Sequence, residues 1–308
     1  MIRPHALKPG DRVAVVAPAS PFDRGEFDAG IGELRALGFE PVYDDRVFAR
    51  RAYVAGDARL RAFAFADAWC TPGIAALIAV RGGYGSVQVL PFLDPAALRD
   101  SPKLFIGYSD TTSLLTFINQ ACGIVAVHGP MLEGRLARGE TGYDRRSFLD
   151  CVSNATPMGE LRPAGLEAIR PGEAAGTLVG GTLSQLVASL GTPYAFNPPE
   201  GAVLFLDEVA ERPYRIDRMF TQLRLSGVLA RVSAIVWGEL PRCDEPPGEP
   251  SGRGILPDLV EGFTGPVLAG FPSGHTVGPS VTLPFGVRAR VISGPEARLI
   301  IEEPAVTA

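Results

Sequence analysis

Three short stretches carry side chains suited to acyl transfer: "GYSDT" (107–111), "LDEV" (206–209) and "PSGH" (272–275). A serine hydroxyl is a weak nucleophile until a base takes its proton, and the base works best when a carboxylate orients it. Ser109, His275 and one of Asp207 and Glu208 are the required types, in the chain order serine, acid, histidine. No order is privileged, because the same geometry recurs on unrelated folds. A fourth stretch, "RGGYG" (81–85), adds adjacent glycines whose N–H groups can converge on an anion.

Each stretch also has an ordinary reading. Ser109, Asp110 or Thr111 could simply cap the helix that follows. Gly82 and Gly83 could form a plain tight turn, and the missing GxGxxG spacing removes a dinucleotide fingerprint. Acids at strand ends often cap helices, and a lone loop histidine is often polar surface. His5 lies near the terminus and reads as inert, while His128 in "VAVHGPM" reads as a packing residue.

The elements that must position these groups alternate in type. "RVAVVAPAS" (12–20) reads as a strand ending in a loop, and "FDAGIGELRALGF" (27–39) as a helix closing on Gly38. "PVYDD" is a short strand, "DARLRAFAFADAWC" (57–70) a helix and "IAALIAVRGGYG" (74–85) a strand breaking into the glycine loop. "KLFIGYSDTTSLLTFIN" repeats the strand-to-helix step. Strands apolar on both faces predict a parallel sheet covered by helices, where ligands gather beyond the carboxyl ends of the strands. Ser109 in "GYSD" then resembles a nucleophile elbow, although Thr111 replaces its usual second glycine.

The chain has 308 residues, enough for two compact domains. A Pro/Gly/Ala-rich stretch over 154–176 predicts a linker with room for a strand, dividing an N-terminal domain (1–153) from a C-terminal one (177–308). In the second part "AVLFLDEV" (202–209) and "SAIVWGEL" (233–240) read as strands, "YRIDRMFTQLRLSG" as a helix and 241–254 as a long polar loop. "VRARVISGPEARLIIEE" reads as a hairpin turning at Gly294-Pro295. The balance of 29 basic against 34 acidic residues leaves no electrostatic footprint for nucleic acid. The apolar run near the N-terminus is too short for a signal peptide or membrane span. Four scattered cysteines and three scattered histidines predict reduced thiols, a cytoplasmic setting, and no metal or other cofactor.

Taken in order, "VAVVAPASP", "RGGYGSVQVLPFLD", "FIGYSDTTSLL", "HGPM", "GGTLSQLVASLGTPY", "LFLDEVAERPYRIDRM" and "FPSGHT" span nearly the whole chain. Together they resemble the LD-carboxypeptidases, a family that includes the microcin-immunity peptidases. The resemblance implies a parallel-sheet Rossmann/flavodoxin-like N-terminal α/β domain carrying the nucleophile Ser109. It also implies a β-rich α/β C-terminal domain carrying the acid and the base His275. The family usually reads Leu-Glu-Asp where this chain has Leu206-Asp207-Glu208, so an ungapped match puts Asp207 in the acid's place, with Glu208 as the alternative. Neighbouring strand residues face opposite ways, so one of the two meets the histidine. The N–H groups of Asp110 and of the Gly82-Gly83 turn are the expected oxyanion donors, and Arg81 the expected partner of a substrate carboxylate.

The activity implied is hydrolysis of the L,D-peptide bond before the terminal D-Ala of murein tetrapeptide, in cytoplasmic peptidoglycan recycling by a homodimer. A microcin-type peptidase acting on peptidyl or aminoacyl nucleotides is the alternative, and the absence of aromatic residues from 241–254 weighs against it. Because the acid motif is altered, a peptide-binding module without turnover is the alternative from another class.

Overall fold

The computed structural model describes residues 1–246 and 249–308. Within the long polar loop, Pro247 and Gly248 lie outside the described residues. The chain forms two compact units, one of residues 1–156, 278–285 and 304–308, the other of 157–277 and 286–303.

The first unit is built on a six-stranded sheet. Its strands Glu40–Val42, Arg12–Val16, Ile74–Ala79, Leu104–Gly107 and Ala126–His128 lie side by side in that order, all parallel. Ile74–Ala79 is buried at five of its six positions, on both faces of the sheet, as the strands of a parallel sheet are. The helices of this unit start where the sequence supplies a cap. Asp23 accepts from Glu26 N–H ahead of Arg24–Ala36, and Asp57 from Leu60 N–H ahead of Ala58–Cys70. Strand order reverses between Arg12–Val16 and Ile74–Ala79, the flavodoxin-like arrangement, which opens a crevice at the carboxyl ends of those two strands.

Two segments from far along the chain join this unit, unlike the single cut expected near 153. Leu283–Phe285 pairs antiparallel with Ala126–His128, giving that buried strand a partner on its outer edge. Near the end of the chain, Thr307 bonds in both directions with Pro4 and Ala6.

The second unit holds an eight-stranded mixed sheet. Gly172–Thr182, Ala202–Asp207, Val232–Gly238 and Val267–Phe271 run parallel at its centre. Helices Leu183–Ser189 and Pro213–Leu225 pack Leu186, Ile216, Phe220 and Leu223 with Trp237 into its core. The hairpin of Arg288–Ser293 and Arg298–Ile301 extends the sheet antiparallel from Gly172–Thr182.

The stretch 154–176 is largely strand rather than linker. Gly159–Leu161 pairs with Arg298–Ile301, and Glu167–Arg170 with Val267–Phe271. Both are sheet-edge strands with no fully buried residue, so they lack the apolar run that marks a strand in sequence. No helix among the described residues is long and apolar enough to cross a membrane.

Candidate active site

Ser109 stands where the buried strand Leu104–Gly107 turns into a helix. Its backbone is left-handed, φ +63°, a conformation that costs a non-glycine residue roughly 1–2 kcal/mol. Such strain gathers at functional turns, where surrounding structure enforces it. Gly107 allows the turn, because a Cβ there would lie 2.5 Å from Thr111 Oγ1. Ser109 is half-buried and the residues on either side are buried, so the turn offers its side chain outward.

Helix capping, expected of Asp110 or Thr111, is not what these two side chains do. The Thr111 hydroxyl donates back to Tyr108 O at 2.8 Å. The Asp110 carboxylate accepts from Gly85 N–H at 3.2 Å and Ser86 N–H at 2.8 Å. Burial pushes the Asp110 pKa above the ordinary aspartate value, against those hydrogen bonds and the nearby Arg61 charge. Short polar side chains after a strand are ambiguous in sequence because a loop brought in from elsewhere can outbid the helix end.

The glycine loop follows Ile74–Ala79 and meets the serine turn directly. A Cβ on Gly82 would lie 2.9 Å from Ser109 Cβ, 3.1 Å from its Oγ and 3.2 Å from Asp110 N. Gly83, at φ +90°, leaves space for Ser20, whose hydroxyl donates to Tyr53 O and accepts from Tyr84 N–H. Gly82 therefore lies against Ser109 and Asp110, while Gly83 lies against Ser20. Arg81 is engaged beside them, with Nη1 3.1 Å from Glu133 Oε1 and 3.1 Å from Pro21 O.

In the second unit, Asp207 ends a fully buried strand and is itself wholly buried. Its Oδ2 lies 2.7 Å from His275 Nδ1 and accepts from His275 N–H at 2.8 Å, while Oδ1 accepts from the Thr182 hydroxyl at 2.8 Å. A carboxylate only accepts, so this pairing assigns the imidazole proton to Nδ1 and leaves Nε2 as the basic nitrogen. Glu208 faces elsewhere. It accepts from Ser184 N–H at 2.8 Å and Val209 N–H at 3.0 Å, at the start of helix Leu183–Ser189. Burial first, and the Asp207 charge second, push its pKa above the ordinary glutamate value.

Glu239 anchors the chain just beyond His275, accepting from the Thr276 hydroxyl at 2.5 Å and Val277 N–H at 2.8 Å. Sequence reasoning passed over Thr182 and Glu133, which bond Asp207 and Arg81, and over Glu239 and Ser20, which hold the chain next to His275 and Gly83. The strand-end placement of Glu239 in "VWGEL" was the one available signal. His128 stacks on Phe285, ring centroids 5.1 Å apart, and is fully buried. His5 is exposed beside Ala308 O.

Residues 13–129 match the family model of the LD-carboxypeptidase N-terminal domain, and residues 175–291 that of the LD-carboxypeptidase C-terminal domain. The chain is 36% identical to a putative carboxypeptidase of Streptomyces coelicolor, with 99% of this chain and 98% of that protein covered. It is 33% identical to a probable murein peptide carboxypeptidase of Bacillus subtilis, covering 97% and 94%. Among solved structures, the microcin C7 self-immunity protein MccF matches with a TM-score of 0.89 and 26% identity over the whole of both chains.

Proposed function

The chain belongs to the LD-carboxypeptidase family and is a serine-type carboxypeptidase, a hydrolase; on that premise we propose that it releases the terminal D-Ala of murein tetrapeptide. In this reading Ser109 is the nucleophile, His275 the general base and Asp207 the acid that orients it. The observation that carries the reading is the bond between Asp207 Oδ2 and His275 Nδ1, which leaves Nε2 to take a proton.

Nε2 of His275 accepts the Ser109 proton as Oγ attacks the carbonyl carbon of the L,D-peptide bond. The imidazolium formed is stabilised by Asp207, and Thr182 keeps the carboxylate turned toward the ring. Charge on the tetrahedral oxygen falls to N–H donors of Asp110 and the Gly82-Gly83 turn, each worth about 10²–10³ in rate. His275 then protonates the departing amine of D-Ala; a water that gives its proton to the same base attacks the acyl carbon, and His275 returns that proton to Ser109 Oγ as the ester bond breaks. Arg81 receives a substrate carboxylate, with Glu133 fixing one side of its guanidinium. The enzyme works as a cytoplasmic homodimer in peptidoglycan recycling.

A second reading, cleavage of aminoacyl or peptidyl nucleotides, is favoured by one feature. Tyr53 and Tyr84, both exposed, meet edge to face at 5.5 Å beside the glycine loop and offer a nucleobase an aromatic surface. Incubating the purified protein with murein tetrapeptide and with an aminoacyl adenylate analogue, and following D-Ala and nucleotide release, decides between them. D-Ala release that vanishes in Ser109→Ala supports the first reading. Nucleotide release with an intact tetrapeptide overturns it in favour of the second.

A further inference from the structure

We infer that Arg61 is a positioning residue for the serine turn, a buried cation that clamps the Gly85–Ser86 peptide against Asp110. The inference rests on Ser109 being the nucleophile proposed above. Arg61 lies in helix Ala58–Cys70 among Ala62, Phe65 and Trp69, and only 3% of its surface is exposed. In sequence it is one arginine of "DARLRAFAFADAWC", indistinguishable from Arg59 two places before it. A guanidinium taken from water is tolerated only when its donors are satisfied.

Four hydrogen bonds run from it to segments that follow strands of the first sheet. Nη1 donates to Pro18 O and, at 2.7 Å, to Gly85 O. Nε donates to Gly56 O at 3.1 Å, and Nη2 to Gln88 Oε1 at 2.6 Å. Pro18 follows strand Arg12–Val16 and Gly85 follows Ile74–Ala79, so one side chain ties together the two loops flanking the strand-order reversal.

Gly85 O and Ser86 N–H belong to the same peptide group. Arg61 holds its oxygen, and Asp110 Oδ2 accepts its N–H at 2.8 Å. A buried cation and a buried anion thus face one another across a single peptide, each polarising it in the same sense. Asp110 tightens the grip through Gly85 N–H, and Ser86 Oγ donates to Asp110 O at 2.6 Å. Gly85 must be glycine here, since at φ +122° a Cβ would lie 2.9 Å from Arg61 Nη1.

The clamp bears on the chemistry through its neighbours. Asp110 is bonded directly to Ser109, and Gly82, three residues before Gly85, lies so close to the serine turn that a Cβ on it would meet Ser109 Cβ and Asp110 N. Arg61 therefore sets the spacing between the glycine loop and the serine turn, the two proposed sources of oxyanion donors. Lysine at 61 would keep the charge but could not span four acceptors in a fixed fork.

Arg61→Lys tests this with three readouts: kcat and KM for D-Ala release from murein tetrapeptide, the rate at which a fluorophosphonate labels Ser109, and the melting temperature. We expect kcat and the labelling rate to fall about 10- to 100-fold, the scale of a small misplacement of reacting groups, with KM within about threefold. The melting temperature should move by only a few degrees. A folded variant that turns over and labels within about twofold of the parent overturns the assignment, as does a loss that merely tracks the unfolded fraction. If Arg61→Lys does not fold, Gln88→Leu removes a single bond to the same guanidinium. A several-fold drop in labelling then supports the clamp, and an unchanged rate overturns it. A parent protein that labels at Ser109 but releases no D-Ala refutes the substrate alone, and the labelling comparison still decides on Arg61. A parent that does not label at Ser109 overturns both.

Discussion

Asp207 meets His275 twice with one oxygen: Oδ2 accepts the backbone N–H at 2.8 Å and lies 2.7 Å from ring Nδ1. The first contact fixes the loop, and the second fixes the tautomer. Asp207→Asn keeps the shape but presents either an amide N–H or an oxygen to two donors, and the ring loses its oriented proton. The expected result is a fall in kcat of roughly 10³–10⁴ with little change in KM, as when a triad tautomer is inverted. Steady-state kinetics of D-Ala release check it. A loss under tenfold would remove Asp207 from the triad.

Glu208 supplies the contrasting case, because its carboxylate serves the start of helix Leu183–Ser189 and not the histidine. Glu208→Gln is expected to leave kcat within about threefold, as for a residue outside the reacting set. Its signature lies in stability. Burial raises the folded pKa of Glu208 above its ordinary value of 4.5, so the folded chain binds that proton more tightly than the unfolded chain does. This contribution to stability is complete below pH 4.5 and is lost as pH rises through the folded value. Glutamine carries no such term. The melting temperature of Glu208→Gln, relative to the parent, should therefore climb between pH 4.5 and neutrality. A flat difference across that range would refute the assignment.

The left-handed backbone at Ser109 separates strain from chemistry. Ser109→Ala and Ser109→Gly should both abolish hydrolysis while remaining folded. Only glycine occupies φ +63° without strain, so Ser109→Gly should melt above Ser109→Ala by roughly 1–2 °C, the shift about 1 kcal/mol produces in a chain of this size. Calorimetry on the two variants measures it. Equal melting temperatures would mean the turn is not held in a strained form.

What could be read from sequence was whatever depends on local pattern. The apolar runs before Arg81 and Ser109 gave parallel strands, and the loops beyond them gave the glycine turn and the serine. Register along "LDEV" favoured Asp207, and the structure brings that side chain to His275. The residues sequence could not reveal work through distant partners. Glu239 reaches the loop at Thr276, 37 positions on, and Arg61 reaches carbonyls at 18 and 85. Backbone carbonyls leave no trace in residue type, so an arginine that binds them reads as one more helix surface residue. The edge strands at 159–161 and 167–170 were obscured for a related reason: with no buried face of their own, they are strands only by virtue of their partners.

Gly82 offers the sharpest steric test of the proposed nucleophile. A methyl group there would stand 2.9 Å from Ser109 Cβ, 3.1 Å from Oγ and 3.2 Å from Asp110 N. No left-handed φ is involved at Gly82, so alanine faces no backbone penalty and the variant should fold. The added methyl must instead push the serine turn away or sit where an oxyanion would bind. Either outcome removes a donor or misplaces the nucleophile, which predicts a fall in kcat of about 10² or more. If the methyl only crowds the pocket mouth, KM rises and kcat is spared. The ratio of the two effects, measured on the same tetrapeptide, thus tells whether Gly82 frames the reacting carbonyl or only the path toward it.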